Sequence, residues 1–480
     1  HKPYSEIFLE YGFLAVFINA ITLKIFDNNI FSLITLTCLF YSLSLYFIGR
    51  IIYSITDNKL YSVFAPLILF ILYPWPTIPW PNFYAYFFTI LFCFFYLKEK
   101  NIYSYYAGFN LALAYLCLTT VYNLVIGLFI ILLFVFKNKL NNKKKLVKTL
   151  SLFSVICLSF IVYLKYEGIL SIWYQYQMIP FIIEASYYNN DNKLYTLLLR
   201  YIYFLTINPV KNFILEPQWA AYAILFYSNV IIILLFVFNF FDKKKLKFHD
   251  EILVINLLIF SLNIYAQILG IEKLATSLSL GSISLAIILV NIKSRENKFI
   301  LKFSVMFICL YSLIFSYNLN SSKIAGLRTA HLKDLSNLDI KINNNQFEYF
   351  KNQKWNEEKW IEIDKLINIQ KLIIKKCKVK FGVNLTSNNF FHSLIINDKK
   401  QIIPWYEKKI EIMKNFIEPD WVEKIQDEID NNNIFIISMK NNHKLLNFKN
   451  YSKPIEIKGF NEYKNIDNNT IYIYHPQKCY

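Results

Sequence analysis

Long apolar runs separated by short polar interludes occupy the first two thirds of the chain, and they set the first expectation. A helix needs roughly 20 residues to cross a bilayer, with about 17 as the lower limit. On that measure Phe31 to Arg50, Leu60 to Tyr73, Asn82 to Leu97, Tyr103 to Leu118, Tyr122 to Phe136 and Leu150 to Leu164 read as spanning segments, several of them short by strict count. Trp219 to Phe241, Glu251 to Leu269, Ala275 to Ile292 and Phe299 to Tyr317 continue the series. After Tyr317 the pattern turns to Asn, Lys, Asp and Glu and no further spanning run occurs. In that tail "EEKWIEIDKLINIQKLIIKK" repeats apolar residues at helical spacing, whereas "KVKFGVNLT", "NNIFIISMK" and "NTIYIYHP" are short β-rich runs. The expected fold is mainly α: a polytopic transmembrane helical bundle over residues 31–318 with an external loop at 165–216, then a small external α/β domain over 319–480.

The polar interludes give orientation. "KNKLNNKKKLVK" from Lys137, "DKKKLKFHD" from Asp242 and "NIKSRENKFILK" from Asn291 are lysine-rich, and short cationic loops stay on the cytoplasmic side. The count between them closes if Lys193 to Ile207 does not cross. Arg200 at the centre of that stretch would cost about 2.5–3.5 kcal/mol at mid-membrane, so an interfacial helix is expected there. Counting back puts "LKEKN" at Leu97 inside, "YPWPTIPWPN" at Tyr73 outside and Arg50 inside. The Tyr11 to Phe26 run either spans or lies along the interface, and its composition leaves both open.

Composition agrees with this pattern: 55% of the 480 residues are hydrophobic and only ten are glycine, too apolar for an ordinary soluble domain. The formal charge of +18 lies in short clusters without aromatic interleaving, which argues against a nucleic-acid partner and for a topology signal. Five of the seven cysteines (Cys38, Cys93, Cys117, Cys157 and Cys309) sit in apolar runs, where cysteine acts as a small hydrophobe; nothing in the sequence pairs Cys377 with Cys479. No CxxC, HExxH or clustered His pattern occurs, so a transition-metal site is not expected, and no Walker loop, dinucleotide fingerprint or GxSxG elbow is present. The polar start without an initiator Met reads as a trimmed N-terminus.

Candidate chemistry therefore falls on charges at the expected outer surface: Glu6, Glu10, Glu167, Glu184, Arg200, Lys211, Glu216, Glu272 and Lys273. The aromatic stretch from Tyr166 to Asp191, with Trp173, Gln175 and Gln177, fits an interfacial belt first, with a surface for a lipid-linked or glycan substrate as the second reading. Glu272 and Lys273 occupy a short turn near the level of a lipid phosphate, where an ammonium either snorkels or holds a phosphate oxygen.

The order of these features resembles the GT-C class of membrane glycosyltransferases, the superfamily of protein O-mannosyltransferases and aminoarabinose transferases. "KPYSEIFLEYGFL" is similar to the family's first external loop, which precedes a juxtamembrane helix; residues 1–30 then read as the remnant of that loop and helix. "WPNFYAYFFTILFCFFYLKEKN" resembles the Arg/Asn-Tyr-Tyr stretch that opens a later span, and "EKLATSLSLGSI" resembles "RLATGxxLG" with Lys273 at the Arg position. The resemblance implies inverting transfer of a sugar from a polyprenyl-phosphate donor to a glycan, lipid or protein acceptor on the outer face, within membrane lipids and without nucleic acid. It implies a catalytic acid in the first external loop as general base and basic groups on the leaving phosphate, and it leaves a divalent metal ion open as a cofactor. The family's acid lies upstream of the "PY" phrase, where this sequence has none. Glu6 and Glu10 match the second acidic position and the "EYG" glutamate, and they are the catalytic candidates. Lys273 and Arg200 are the donor-phosphate candidates, and Trp173 and Gln177 the substrate-binding ones. The alternatives are a transporter or flippase of lipid-linked glycans, which would line its spans with polar residues that these spans nearly lack, and a non-catalytic membrane scaffold.

Overall fold

A computed structural model describes residues 12–26, 30–72, 81–137, 140, 142–171, 173–174, 227–234, 250–269, 280–291, 340–341, 354–355, 372, 375–376, 381–384, 421–431, 434–438, 446–458 and 470–477. The described part is mostly helical. Its N-terminal body holds α1 (Phe13–Ile25), α2 (Ile30–Thr56), α3 (Lys59–Leu72), α4 (Pro81–Tyr96), α5 (Asn101–Cys117), α6 (Thr119–Phe136), α7 (Lys143–Tyr166), a helical stretch at 227–234, α8 (Asp250–Leu269) and α9 (Gly281–Asn291). The expected runs over residues 31–164 all reappear as helices. α7 begins seven residues before Leu150, because lysine is a good helix former and Asn142 caps the first turn by accepting from the Lys145 backbone N–H at 3.3 Å. The run Phe299 to Tyr317 and the Arg200 stretch lie outside the described residues, as does most of the 357–376 stretch.

Side-chain contacts give the helix directions. Tyr41 Oη donates to the Leu69 carbonyl at 3.3 Å, while Gly49, further along α2, meets Ser62 and Pro66 earlier in α3, so these two are antiparallel. Pro66 lacks the N–H that would have bonded the Ser62 carbonyl, and a Cβ on Gly49 would stand 2.6 Å from that oxygen. Phe40 packs edge-on against Tyr84, and Phe47, two turns on, against Phe94, so α2 and α4 are parallel. The ring of Phe95 meets Tyr103 and Tyr106 across the turn between α4 and α5, which are antiparallel. Lys148 Nζ donates to Asn101 Oδ1 at 3.0 Å and the Phe153 ring meets Tyr115, so α5 and α7 are parallel.

Two of the described helices, 32–56 within α2 and all of α7, are long and apolar enough to cross a membrane by length and composition. Neither is a buried core helix. Leu39, Leu43 and Tyr46 of α2 and Val155, Leu158 and Val162 of α7 are exposed, along with large apolar residues on α3, α5 and α6. Exposed apolar surface on this scale is costly in water and unremarkable against lipid.

The C-terminal part holds a two-stranded antiparallel pair, β1 (Ile340–Lys341) with β2 (Lys354–Trp355), and a four-stranded sheet. The sheet contains β3 (Phe381–Asn384), β4 (Ile434–Ser438), β5 (Ile455–Lys458) and β6 (Thr470–Tyr474) in the order β3-β4-β6-β5. β3 and β4 are parallel and α10 (Trp421–Asn431) lies in the crossover between them; the other pairs are antiparallel. Phe435, Ile436 and Ile437 are all buried, so β4 is covered on both faces as a central strand should be. Gln426 of α10 pairs its amide with the backbone of Asn447, and Tyr451 Oη donates to the Ile429 carbonyl, fixing helix to sheet. Three of the four strands fall in the β-rich runs read from sequence.

Candidate functional site

The helix directions gather the chain into two contrasting ends. At one end stand the C-terminus of α4, the N-terminus of α5 and the N-termini of α7 and α8. There Lys145 Nζ pairs with Glu251 Oε1 at 3.0 Å and lies 5.1 Å from the centre of the Tyr96 ring. Asp250 Oδ2 accepts from the Asn142 backbone N–H at 2.6 Å. Lys98 rests over the Phe94 ring and Lys137 over the Phe134 ring. The described residues of "LKEKN" and of "KNKLNNKKK" and the acidic start of α8 thus share one end.

The opposite end carries α1. Gly12 caps it with extended backbone, and its N–H donates to the Cys117 carbonyl at 3.2 Å, at the last residue of α5. A Cβ here would stand 2.0 Å from the Leu116 carbonyl oxygen, so the glycine of "EYGFL" is needed for close approach. Half-way along α1, Asn19 Oδ1 accepts from Tyr84 Oη at 2.6 Å, in the first turn of α4. The 13 residues of α1 measure about 20 Å, and residues 27–29 join its last turn to α2, whose N-terminus lies at this same end. Both contacts are therefore at one end of the body, and α1 is too short to run its length.

Behind α1 lies a polar group. Tyr122 Oη of α6 is hydrogen-bonded to Thr89 Oγ1 and lies 3.4 Å from the Ala85 carbonyl, both in α4. Nearer the N-termini of these helices, Asn82 of α4 and Thr119 of α6 are buried, and neither the Asn82 amide atoms nor Thr119 Oγ1 meets a hydrogen-bond partner.

Of the site residues read from sequence, Glu6, Glu10, Gln177, Arg200 and Lys273 lie outside the described residues. Trp173 is described. It follows α7, its N–H donates to the Ile169 carbonyl at 2.9 Å, and its ring packs edge-on against Phe160. It is 7% exposed and its buried Nε1–H has no partner, so it presents no open ring face.

A second polar feature was missed in the sequence. Asn229 Nδ2 donates to Asn256 Oδ1 and Ser284 Oγ at 3.1 Å each, Ser284 Oγ donates back to Asn256 Oδ1 at 2.7 Å, and all three side chains are fully buried. Asn263, seven residues beyond Asn256 and so on the same face of α8, is also fully buried with both amide atoms unpartnered. The expectation of spans nearly free of polar lining needs correcting here. Single asparagines barely lower the hydropathy of an apolar run, yet seven-residue spacing was the available signal. Among the described residues no group of three or more His, Cys, Asp or Glu side chains could hold a metal. The divalent ion that the resemblance leaves open finds no donor set of that kind among them. No family model, no curated protein and no solved structure matches the chain.

Proposed function

We propose that the chain is a polytopic membrane glycosyltransferase of GT-C type that moves a sugar from a polyprenyl-phosphate donor to an acceptor at the α1 end, which faces outward. The observation that carries this reading is the contact between α1, the helix that follows the opening phrase, and the first turn of α4, which begins the second stretch that bears the resemblance: Tyr84 Oη donates to Asn19 Oδ1. The lysine-rich turns at the far end support a cytoplasmic assignment for that end. The shortness of α1 supports an interfacial helix with Glu6 and Glu10 outside. In this reading an acidic side chain of the opening loop removes the acceptor proton as the hydroxyl attacks, and Lys273 and Arg200 balance the charge growing on the leaving phosphate. Membranes containing the protein should transfer radiolabelled sugar from polyprenyl-phosphate donor, with loss in Glu6→Gln or Glu10→Gln and in Lys273→Ala. Transfer at wild-type level in all three removes the residue assignments, and no transfer from any such donor removes the reaction.

The buried amides of Asn229, Asn256 and Asn263 favour a second reading, a transporter or flippase of lipid-linked glycans, since polar side chains inside a helical body suit passage of a polar headgroup. Translocation of a fluorescent lipid-linked glycan across proteoliposomes, abolished by Asn263→Leu and accompanied by no sugar transfer, would select it.

A further inference from the structure

We propose that the cationic surface where α5 and α7 begin side by side binds the phosphate headgroup of an anionic phospholipid, whose acyl chains lie along the two helices. This rests on the reading of the chain as a membrane protein with its lysine-rich end inward, and is independent of sugar transfer. The parallel packing of α5 and α7 builds the cluster. Lys148 Nζ donates to Asn101 Oδ1 at 3.0 Å, and beside it Thr149 Oγ1 donates to the Ser104 carbonyl at 3.0 Å. Lys100 directly precedes Asn101, and Lys144 stands one turn before Lys148 on the same face of α7. Lys100 and Lys144 are exposed and Lys148 is half-buried, so the three ammonium groups are drawn together at the surface.

That arrangement is unfavourable until an anion joins it. Like charges one helix turn apart repel, and a lysine near a helix N-terminus opposes the helix dipole. Lys100 is the N-cap residue of α5 and makes no side-chain cap, while Lys143 and Lys144 open α7. The carboxylates of this end do not neutralise them. Glu251 pairs with Lys145, Asp250 accepts from the Asn142 backbone N–H, and Glu99 forms no ion pair among the described residues.

The surface that borders the lysines is what makes the anion a lipid. Ile102, Tyr106 and Phe109 form an exposed stripe at helical spacing that starts next to Asn101, and Val147, Val155 and Leu158 are exposed along α7. A soluble phosphate leaves these side chains uncovered, whereas acyl chains cover them. Tyr106, within two turns of the lysines, suits the headgroup level. The anionic lipids of the cytoplasmic leaflet supply the opposite charge on this side of the membrane.

The test uses the full chain purified in neutral detergent, with dioctanoyl phosphatidylglycerol, dioctanoyl phosphatidylcholine and inorganic phosphate as probes. Phosphatidylglycerol should raise the thermal unfolding midpoint, and the other two should not. Lys100→Gln/Lys144→Gln/Lys148→Gln should need at least about tenfold more phosphatidylglycerol for the same rise. Its unliganded midpoint should be unchanged or higher, because like charges have been relieved. Lys375→Gln/Lys449→Gln/Lys453→Gln removes the same charge from exposed positions of the C-terminal part and should respond as the wild type does. Salt at about 1 M, where the screening length is about 3 Å, should shrink the wild-type rise. Should the first variant not fold, Lys100→Gln/Lys144→Gln carries the same comparison. No rise with phosphatidylglycerol, an equal rise with phosphatidylcholine, or the same dose dependence in wild type and groove variant overturns the site; an equal rise with inorganic phosphate overturns lipid as its occupant. A variant-sensitive rise in protein that transfers no sugar leaves the site standing and sinks the transferase reading; transfer without a phosphatidylglycerol-dependent rise does the reverse.

Discussion

Removing one partner of the Lys145–Glu251 pair should destabilise the helical body by about 3 kcal/mol. Lys145 keeps 7% of its side-chain exposure and Glu251 keeps 19%, with 3.0 Å between the charged atoms. Breaking a buried pair costs about 3–5 kcal/mol because the surviving charge stays desolvated; the residual exposure of Glu251 puts this pair at the low end. Glu251→Gln leaves the Lys145 ammonium against the Tyr96 ring, and Asp250, held by the Asn142 N–H, compensates only in part. Lys145→Met should cost less, since the more exposed carboxylate reaches water. The double variant should recover to within about 1 kcal/mol of wild type, because a matched apolar replacement removes both desolvation penalties. Denaturant titration in bicelles, followed by far-UV circular dichroism, measures all four proteins and yields the coupling energy directly. A Glu251→Gln cost below about 0.5 kcal/mol, or strictly additive single costs, would show that the pair is solvated and that α7 and α8 are not clamped there.

Gly12→Ala should lift α1 from α5, since the added Cβ would sit 2.0 Å from the Leu116 carbonyl oxygen; a loss of about 1–3 kcal/mol in the same titration is expected, and a neutral result would mean the contact is not made. With all seven native cysteines replaced, single cysteines at Lys98 and Asn142 should react with an impermeant thiol reagent from one membrane side and one at Phe26 from the other; labelling of all three from one side refutes the two-ended arrangement. In the C-terminal sheet, burial pushes the Tyr474 phenol from 10.0 up to about 12, with the nearby Tyr472 adding to it. The unfolded chain then ionises first, binds fewer protons than the folded one above pH 10, and stability present below pH 10 is lost across pH 10 to 12. Hydrogen exchange of peptides covering β6, corrected for intrinsic rate, should accelerate over that range, and Tyr474→Phe should flatten the change.

The legible part of the fold was the part governed by neighbours in sequence. Apolar runs marked α2 to α7, and β-branched and aromatic runs marked β3, β4 and β6. By contrast, "PIEIKG" was passed over because its four-residue strand β5 carries Glu456 and Lys458, and pairing with β6 is what makes it a strand. α10 was passed over too: its polar face outnumbers its buried one, and Gln426 gains its role only from the Asn447 backbone 21 residues away. The candidate site divides the same way. Glu6, Glu10, Lys273 and Arg200 could be proposed from local phrases, whereas the contact of Lys148 with Asn101 across 47 positions, which draws Lys100 and Lys144 together, carried no local signal.

What the sequence determined by itself was where backbone polar groups must be satisfied locally: a long apolar stretch with no turn residues closes its hydrogen bonds as helix whatever it later touches. The tertiary structure decided which ends of those helices come together. Lys145 meets Glu251 across 106 positions and Tyr84 meets Asn19 across 65, and no periodicity in the chain encodes such pairings. They depend on helix lengths, on the close approach that Gly12 and Gly49 permit, and on which faces exclude one another, quantities that exist only once the helices are packed.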